Sequence, residues 1–326
     1  MTANADTPNN RDRLFGWRGT MSPDYAPKTF GLPVREESIV QLGPGEFAAD
    51  VQMATVDDIG LLLVGIGVES VGVSVFNPDY TGFALPVSWT GDYFVNGDPA
   101  NPSNLYMPGD LDSFHQRSQS RVTLGVTVPR QPLIETIAAL RGVSIEDVTL
   151  NDRELRLGDA AGAQVRARLA AIIGEACGDR VKRSPREIHN DVFALLTDAY
   201  LCARPESRSQ AEWIRRPERI VRLAEERFME SRGEPVSLAD LCAAAGVSKS
   251  TLYPAFQSVC GQPPLAYFQK RRLTRARSIL FNAEPARGQV KQAALHLGFT
   301  ELGRFSVEYR RLFGESPSAT LNRSAA

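Results

Sequence analysis

The sequence predicts an α+β protein with a strand-rich N-terminal half and an all-α C-terminal half. Three observations carry that prediction. Short β-branched runs alternate with turn clusters from Ser38 to Val128, helical periodicity takes over from Gln131, and between Val236 and Leu321 one helical pattern is written twice. Charge divides along the same line. The net −1 of the 326 residues splits into +7 over residues 231–326 (13 Lys/Arg, 6 Asp/Glu) and −8 over residues 1–230 (24 and 32). A basic segment can neutralise phosphates, whereas an acidic one stays off them. With 43% hydrophobic and 23% charged residues the composition is that of a soluble globular chain, and the length suits two domains.

Residues 1–35, rich in Pro, Asn and charge, are expected to form a disordered arm. Residues 36–203 are expected to form the first domain, with strands at Gly60–Gly65, Val71–Phe76, Ala84–Trp89 and Val122–Val128. Turn clusters such as Asn77-Pro-Asp, Asn96-Gly-Asp-Pro and Met107-Pro-Gly-Asp separate them. Strands at this spacing, without intervening helices, suggest an antiparallel sandwich or small barrel. The most apolar run, Ile59 to Val68, is too short to span a bilayer, so no membrane partner is expected. Trailing helices follow over Gln131–Gly142, Gly162–Glu175 and Pro185–Ala203. Residues 204–212, beginning Arg204-Pro-Glu-Ser, read as a linker, and residues 213–326 as a second domain entered through an amphipathic helix over Glu212–Ser231.

Cys177, Cys202, Cys242 and Cys260 are widely spaced, and His115, His189 and His296 lie far from them in sequence. Neither a metal nor another cofactor is expected, and the sparse cysteines suit a reducing cytoplasm. The N-terminus, Met-Thr-Ala-Asn-Ala-Asp, has no apolar secretory core, which agrees with that location.

The repeated pattern begins with Ser237-Leu-Ala-Asp-Leu-Cys-Ala-Ala-Ala-Gly-Val-Ser and returns as Gln289-Val-Lys-Gln-Ala-Ala-Leu-His-Leu-Gly-Phe-Thr. Leu238, Leu241, Cys242 and Ala245 match Val290, Ala293, Ala294 and Leu297, the inward stripe of a short helix. Gly246 and Gly298 follow as turn glycines, and Ser248 and Thr300 stand as caps for a second helix. In that helix Leu252, Phe256 and Val259 match Phe305, Tyr309 and Leu312. Helix, glycine turn and helix, written twice, is a tandem helix-turn-helix.

At these residues the chain resembles the AraC/XylS family of bacterial transcription regulators. Arg272-Leu-Thr-Arg-Ala-Arg-Ser-Ile-Leu is similar to the family's helix between its two DNA-reading units, and Gly298 to Ser318 to its second unit. The Leu302-Gly-Arg-Phe variant looks like the branch containing the ethanolamine-utilisation regulators. The resemblance implies a β-rich, cupin-like N-terminal domain that senses a small molecule or dimerises, followed by helices and an all-α C-terminal domain with two helix-turn-helix units. It implies a sequence-specific regulator, an activator rather than an enzyme, acting as a homodimer that contacts RNA polymerase. Two rival readings remain: an N-terminal domain that only dimerises, and a cupin-like enzyme domain fused to a DNA reader. The lack of a nucleophile motif and the shortage of histidines count against the enzyme.

The reading helices follow from periodicity. With Leu302, Phe305, Tyr309 and Leu312 inward, Gly303, Arg304 and Val307 point away, and Ser306, Arg310 and Arg311 flank them. Arg304 has the fork for a bidentate guanine contact, Val307 suits a thymine methyl, and Arg310 and Arg311 suit phosphates. In the first unit Ser250, Tyr253, Pro254 and Gln257 lie outward or beside that face. The family commonly has Arg where this chain has Ser250 and Pro254, which weakens base reading there. Pro254 either kinks its helix or marks a later start. Two such helices on one rigid chain would face one side of double-stranded DNA, in major grooves about 34 Å apart. Trp89, Tyr93 and His115 are the candidates for an effector pocket, the effector itself being unknown.

Overall fold

The computed structural model describes residues 14–21, 32–47, 49–178, 183–205, 216–231 and 233–323. The strand-rich half is one antiparallel sheet built on two long strands, β6 (Tyr80–Val95) and β9 (Ser113–Pro129), paired along most of their length. The other edge of β9 is shared. Its first part, Ser113–Ser118, pairs with β5 (Ser70–Phe76), and Arg121–Thr127 pairs with β4 (Ile59–Ile66). Beyond β5 lies β2 (Val34–Gln41), and beyond β4 lie β3 (Ala49–Val56) and β1 (Leu14–Met21). Four short strands complete the sheet among the described residues: β7 (Asp98–Pro99), β8 (Asn104–Tyr106), β10 (Glu154–Arg156) and β11 (Arg204–Pro205). Because β9 feeds two separate wings from one edge, the sheet curls around an interior.

The turns obey the residues in them. Asn96 and Gly97 both hold positive φ, +54° and +91°, as the two central residues of a tight β6–β7 hairpin require. Two boundaries differ from the sequence reading. Leu14–Met21, expected within a disordered arm, is a full partner of β3 from Leu14↔Val56 to Met21↔Ala49. The apolar run on β3 and β4 leaves a strand edge that this segment caps, a long-range effect that composition does not carry. Arg204 and Pro205, the start of the expected linker, still pair with Arg156 and Leu155. The rest of that linker lies outside the described residues.

Helices α1 (Arg130–Arg141), α2 (Asp159–Ala176) and α3 (Pro185–Cys202) cover one outer face of the sheet. Leu133, Ile137, Leu169, Ile173, Val192 and Leu196 pack there against Leu61, Leu85, Leu124 and Val126. Each such side chain, fully withdrawn from water, contributes about 1.5–3 kcal/mol. A capping box at Ser184 and Glu187, with Pro185 in the first turn, starts α3.

The helical half comprises α4 (Pro217–Glu230), α5 (Leu238–Ala245), α6 (Lys249–Cys260), α7 (Pro264–Phe281), α8 (Gln289–His296), α9 (Leu302–Phe313) and α10 (Pro317–Arg323). It has two cores. The first joins Ile220, Val221, Leu241, Leu252, Phe256 and Phe268 to Val40, Val71, Val73 and Val75 of the sheet. The second joins Leu273, Ala276 and Leu280 of α7 to Ala294, Phe305, Tyr309 and Leu312. The single helix α7 therefore enters both cores, with Tyr267 and Phe268 in one and its last turns in the other.

Candidate nucleic-acid interface

Two helical pairs present the repeated pattern. In the first, a capping box between Ser237 and Asp240 opens α5, and Gly246 at φ +66° closes it. Ser248 is the cap position of α6, but its hydroxyl meets the Ser250 and Thr251 hydroxyls instead of a backbone N–H. In the second pair Gly298 takes φ +78°, and Glu301 rather than Thr300 precedes α9. Leu252, Phe256, Phe305 and Tyr309 are buried as periodicity requires.

The side chains expected to point outward are found there. Ser250, Tyr253, Pro254 and Gln257 on α6 are exposed, as are Gly303, Arg304, Val307, Arg310 and Arg311 on α9. Val307 is 69% exposed in mid-helix, an apolar side chain left open to solvent. Ser306 is half-buried and its hydroxyl donates to the Leu302 carbonyl, so that group is committed to its own helix. Arg304 Nε donates to Glu308 Oε1 at 2.8 Å, one turn along. Glu308 also accepts from Gln269 Nε2 at 2.7 Å, and these bonds and charges, set against partial burial, hold its carboxyl below the usual range. Glu308 thus steadies the Arg304 fork on the outer face.

Helix α6 runs unbroken from Lys249, so Pro254 stands well past the first turn. The later start is therefore excluded. The missing N–H leaves the carbonyl of exposed Ser250 without its helical donor, a group water can satisfy.

Not all of the basic excess faces outward. Arg271 and Arg277 are buried, Arg272 lies over the Phe228 ring at 5.4 Å, and Lys270 Nζ donates to the Leu42 carbonyl at 2.6 Å. The exposed cations of the helical half include Lys249, Arg275, Arg287, Lys291, Arg304, Arg310 and Arg311.

Buried charges tie the first helical core to the sheet. Glu225 of α4 accepts from Tyr267 Oη and Arg271 Nη1, each at 2.5 Å, and lies 2.8 Å from His115 Nε2 of β9. Arg271 Nη2 reaches Glu36 Oε1 of β2 at 2.7 Å. Burial alone would raise the Glu225 carboxyl, but Arg271 and His115 outweigh it and hold the group at about 2. Elsewhere Gln41 Nε2 donates to the Leu312 carbonyl at 2.9 Å, joining β2 to the end of α9.

The three residues expected to share an effector pocket do not. His115 faces the helices, Trp89 is half-buried against the Tyr93 ring, and the Tyr93 hydroxyl donates to Gln116 Oε1. Alternation along β9 turns His115 away from the side that its neighbour Gln116 faces. The interior of the sheet instead encloses a cavity of about 120 Å³. Val51, Met53, Leu62, Phe76 and Phe114 make its apolar walls, and Glu37, Ser74, Gln116, Arg121 and Thr123 its polar ones. One signal was visible in the sequence: Arg121 opens an otherwise uncharged strand run ending at Pro129.

Residues 241–323 match the family model described as a helix-turn-helix domain. Over 105 residues the chain is 37% identical to the XylDLEGF operon transcriptional activator 2 of Pseudomonas putida, covering 32% of this chain and 64% of that protein. It is 36% identical over 102 residues to the probable thc operon regulatory protein of Rhodococcus erythropolis, covering 31% of each. The match thus spans less than two thirds of these relatives. It is also 38% identical to a probable AraC family transcriptional regulator of known structure from Rhodopseudomonas palustris, covering 32% of this chain and 96% of that one, with a TM-score of 0.29. The shared stretch is a helix-turn-helix domain similar to those of these transcription regulators. What this chain shares with these relatives is confined to about a third of its length, which on the family model's bounds holds α6 to α10.

Proposed function

We propose that this chain is a sequence-specific DNA-binding transcription regulator of the AraC/XylS family. The observation that carries the reading is the pair of helices α6 and α9, each with a buried stripe on one side and exposed polar, basic or small residues on the other. Both pairs act as helix-turn-helix units in major grooves, with α9 the stronger reader. Arg304 contacts guanine, Val307 a thymine methyl, and Arg310 and Arg311 phosphates, while Ser250, Tyr253 and Gln257 position α6. Gly303 lets the backbone approach the bases.

The curled sheet serves as a cupin-like sensor of a small effector, a role its internal cavity supports. The protein works in the cytoplasm as a homodimer that activates transcription by contacting RNA polymerase. Its placement with the ethanolamine-utilisation branch rests on Leu302-Gly-Arg-Phe alone. The sheet domain is taken to include Leu14–Met21 and to reach Pro205, and the second domain to span 213–326.

Genomic footprinting of the full chain, followed by binding to a recovered site across a salt series, tests this. Affinity should fall with a log–log slope of roughly −0.9 for each phosphate neutralised. Salt-insensitive binding, or none at low salt, would overturn the reading.

A further inference from the structure

The cavity inside the sheet contains a charge that the protein does not neutralise at contact. Arg121 is 4% exposed. Its Nη1 donates to Ser118 Oγ at 3.0 Å and Ser70 Oγ at 3.3 Å, and its Nε has no partner. Among the described residues no carboxylate forms an ion pair with it. Its Nη2 lies so near Gly72 that a Cβ there would come within 2.6 Å, so the guanidinium rests against bare backbone. A buried guanidinium held only by neutral hydroxyls leaves much of its desolvation cost unmet.

We infer that this cavity receives a small, mostly apolar monocarboxylate, its carboxylate seated on the Arg121 guanidinium and its hydrocarbon among Val51, Met53, Leu62, Phe76 and Phe114. The inference rests on the reading of the sheet as a sensor and names the ligand class of that sensor. An amine would meet Arg121 as a like charge, and a neutral ligand would leave the guanidinium uncompensated. Size sets the rest. A cavity of about 150 Å³ accepts benzene, so one of about 120 Å³ suits a smaller acid, with a chain of about four or five carbons.

Glu37 then acts as the proton partner. It shares the cavity wall, and burial pushes its carboxyl up to about 7, against the pull of Ser74 and Arg121. The charged and titratable groups around it are Arg121 on β9, its neighbour Glu36 on β2, and Tyr93 on β6, whose own titration is pushed up by burial. Two carboxylates beside one guanidinium are best accommodated when one keeps a proton. Below pH 7 Glu37 already holds it. Above pH 7 the ligand must bring a proton with it, and affinity falls by up to about tenfold per pH unit.

The test is titration calorimetry on the full chain from pH 6 to 8.5. The probes are butanoate and pentanoate, with pentanamide and pentylamine as neutral and cationic counterparts. Saturable binding of the acids, at least tenfold tighter than the amide or amine and weakening above pH 7, is the expected result. Arg121→Gln should lose at least tenfold in acid affinity, and Arg121→Lys, which keeps charge but not the fork, should lose less. Glu37→Gln should bind acid with no pH dependence across this range, which also covers the case of Arg121→Gln failing to fold. Tighter binding of the amide or amine, unchanged affinity in both Arg121 variants, or no binding by either acid would overturn the carboxylate assignment. DNA binding measured without any probe reports separately on the regulator reading.

Discussion

Arg304 and Arg311 sit on the same exposed helix and carry the same charge, yet their surroundings differ. Glu308 holds the Arg304 fork one turn from the start of α9, whereas Arg311 lies in the last turn, exposed. A guanidinium held in one orientation can select a base, and an unrestrained one follows the phosphate chain. Arg304→Ala is therefore expected to relax specificity at one base pair by roughly tenfold to a hundredfold. Arg311→Ala should weaken all sequences alike and flatten the salt slope by about one phosphate. Competition binding against single-base variants of a recovered site reads both effects, and equal loss on every variant for both substitutions would make Arg304 a phosphate contact.

At the scale of elements, α6 is a helix whose sequence works against it. Pro254 removes a backbone donor in mid-helix while Leu252 and Phe256 on either side stay buried, so packing overrides a local cost of ~3 kcal/mol. Pro254→Arg should raise the melting temperature by restoring that hydrogen bond and tighten DNA binding by adding an outward cation. Differential scanning calorimetry and a binding titration check it, and no gain in either would mean that the proline suits this helix. Elements whose signal is local were legible in the sequence: the helical stripes, the turn at Asn96-Gly97, and the outward residues of α6 and α9. Elements defined by distant partners were not. Strand β1 exists because β3 offers it an edge, and the Glu225 cluster because α4, α7, β2 and β9 meet. The cavity was not legible for the same reason: the sequence names His115 as a candidate, but only the curl of the sheet decides that Gln116, and not His115, lies on the cavity side of β9.

Over the whole molecule, the helical half is not closed on itself. Its first core is finished by Val40, Val71, Val73 and Val75 of the sheet, whereas its second core around Phe305 and Tyr309 needs none of them. The charge cluster at the first junction makes this difference measurable. Glu225 is held at about 2 against an ordinary 4.5, so its stabilisation is fully present above pH 4.5 and is lost as pH falls through 2. On acidification α4 to α6 should lose hydrogen-exchange protection before α8 and α9 do, and simultaneous loss in both would show that the junction adds nothing to the first core. The wall formed by β2, β5 and β9 has a further consequence. Glu37 and Gln116 face the cavity, while their chain neighbours Glu36 and His115 hold Arg271 and Glu225 on the far side. On the proposed reading, effector and first DNA-reading unit are separated by the thickness of one pleated strand, so an occupant that bowed this wall outward would press directly on the seat of that unit, with no relay longer than a single peptide bond.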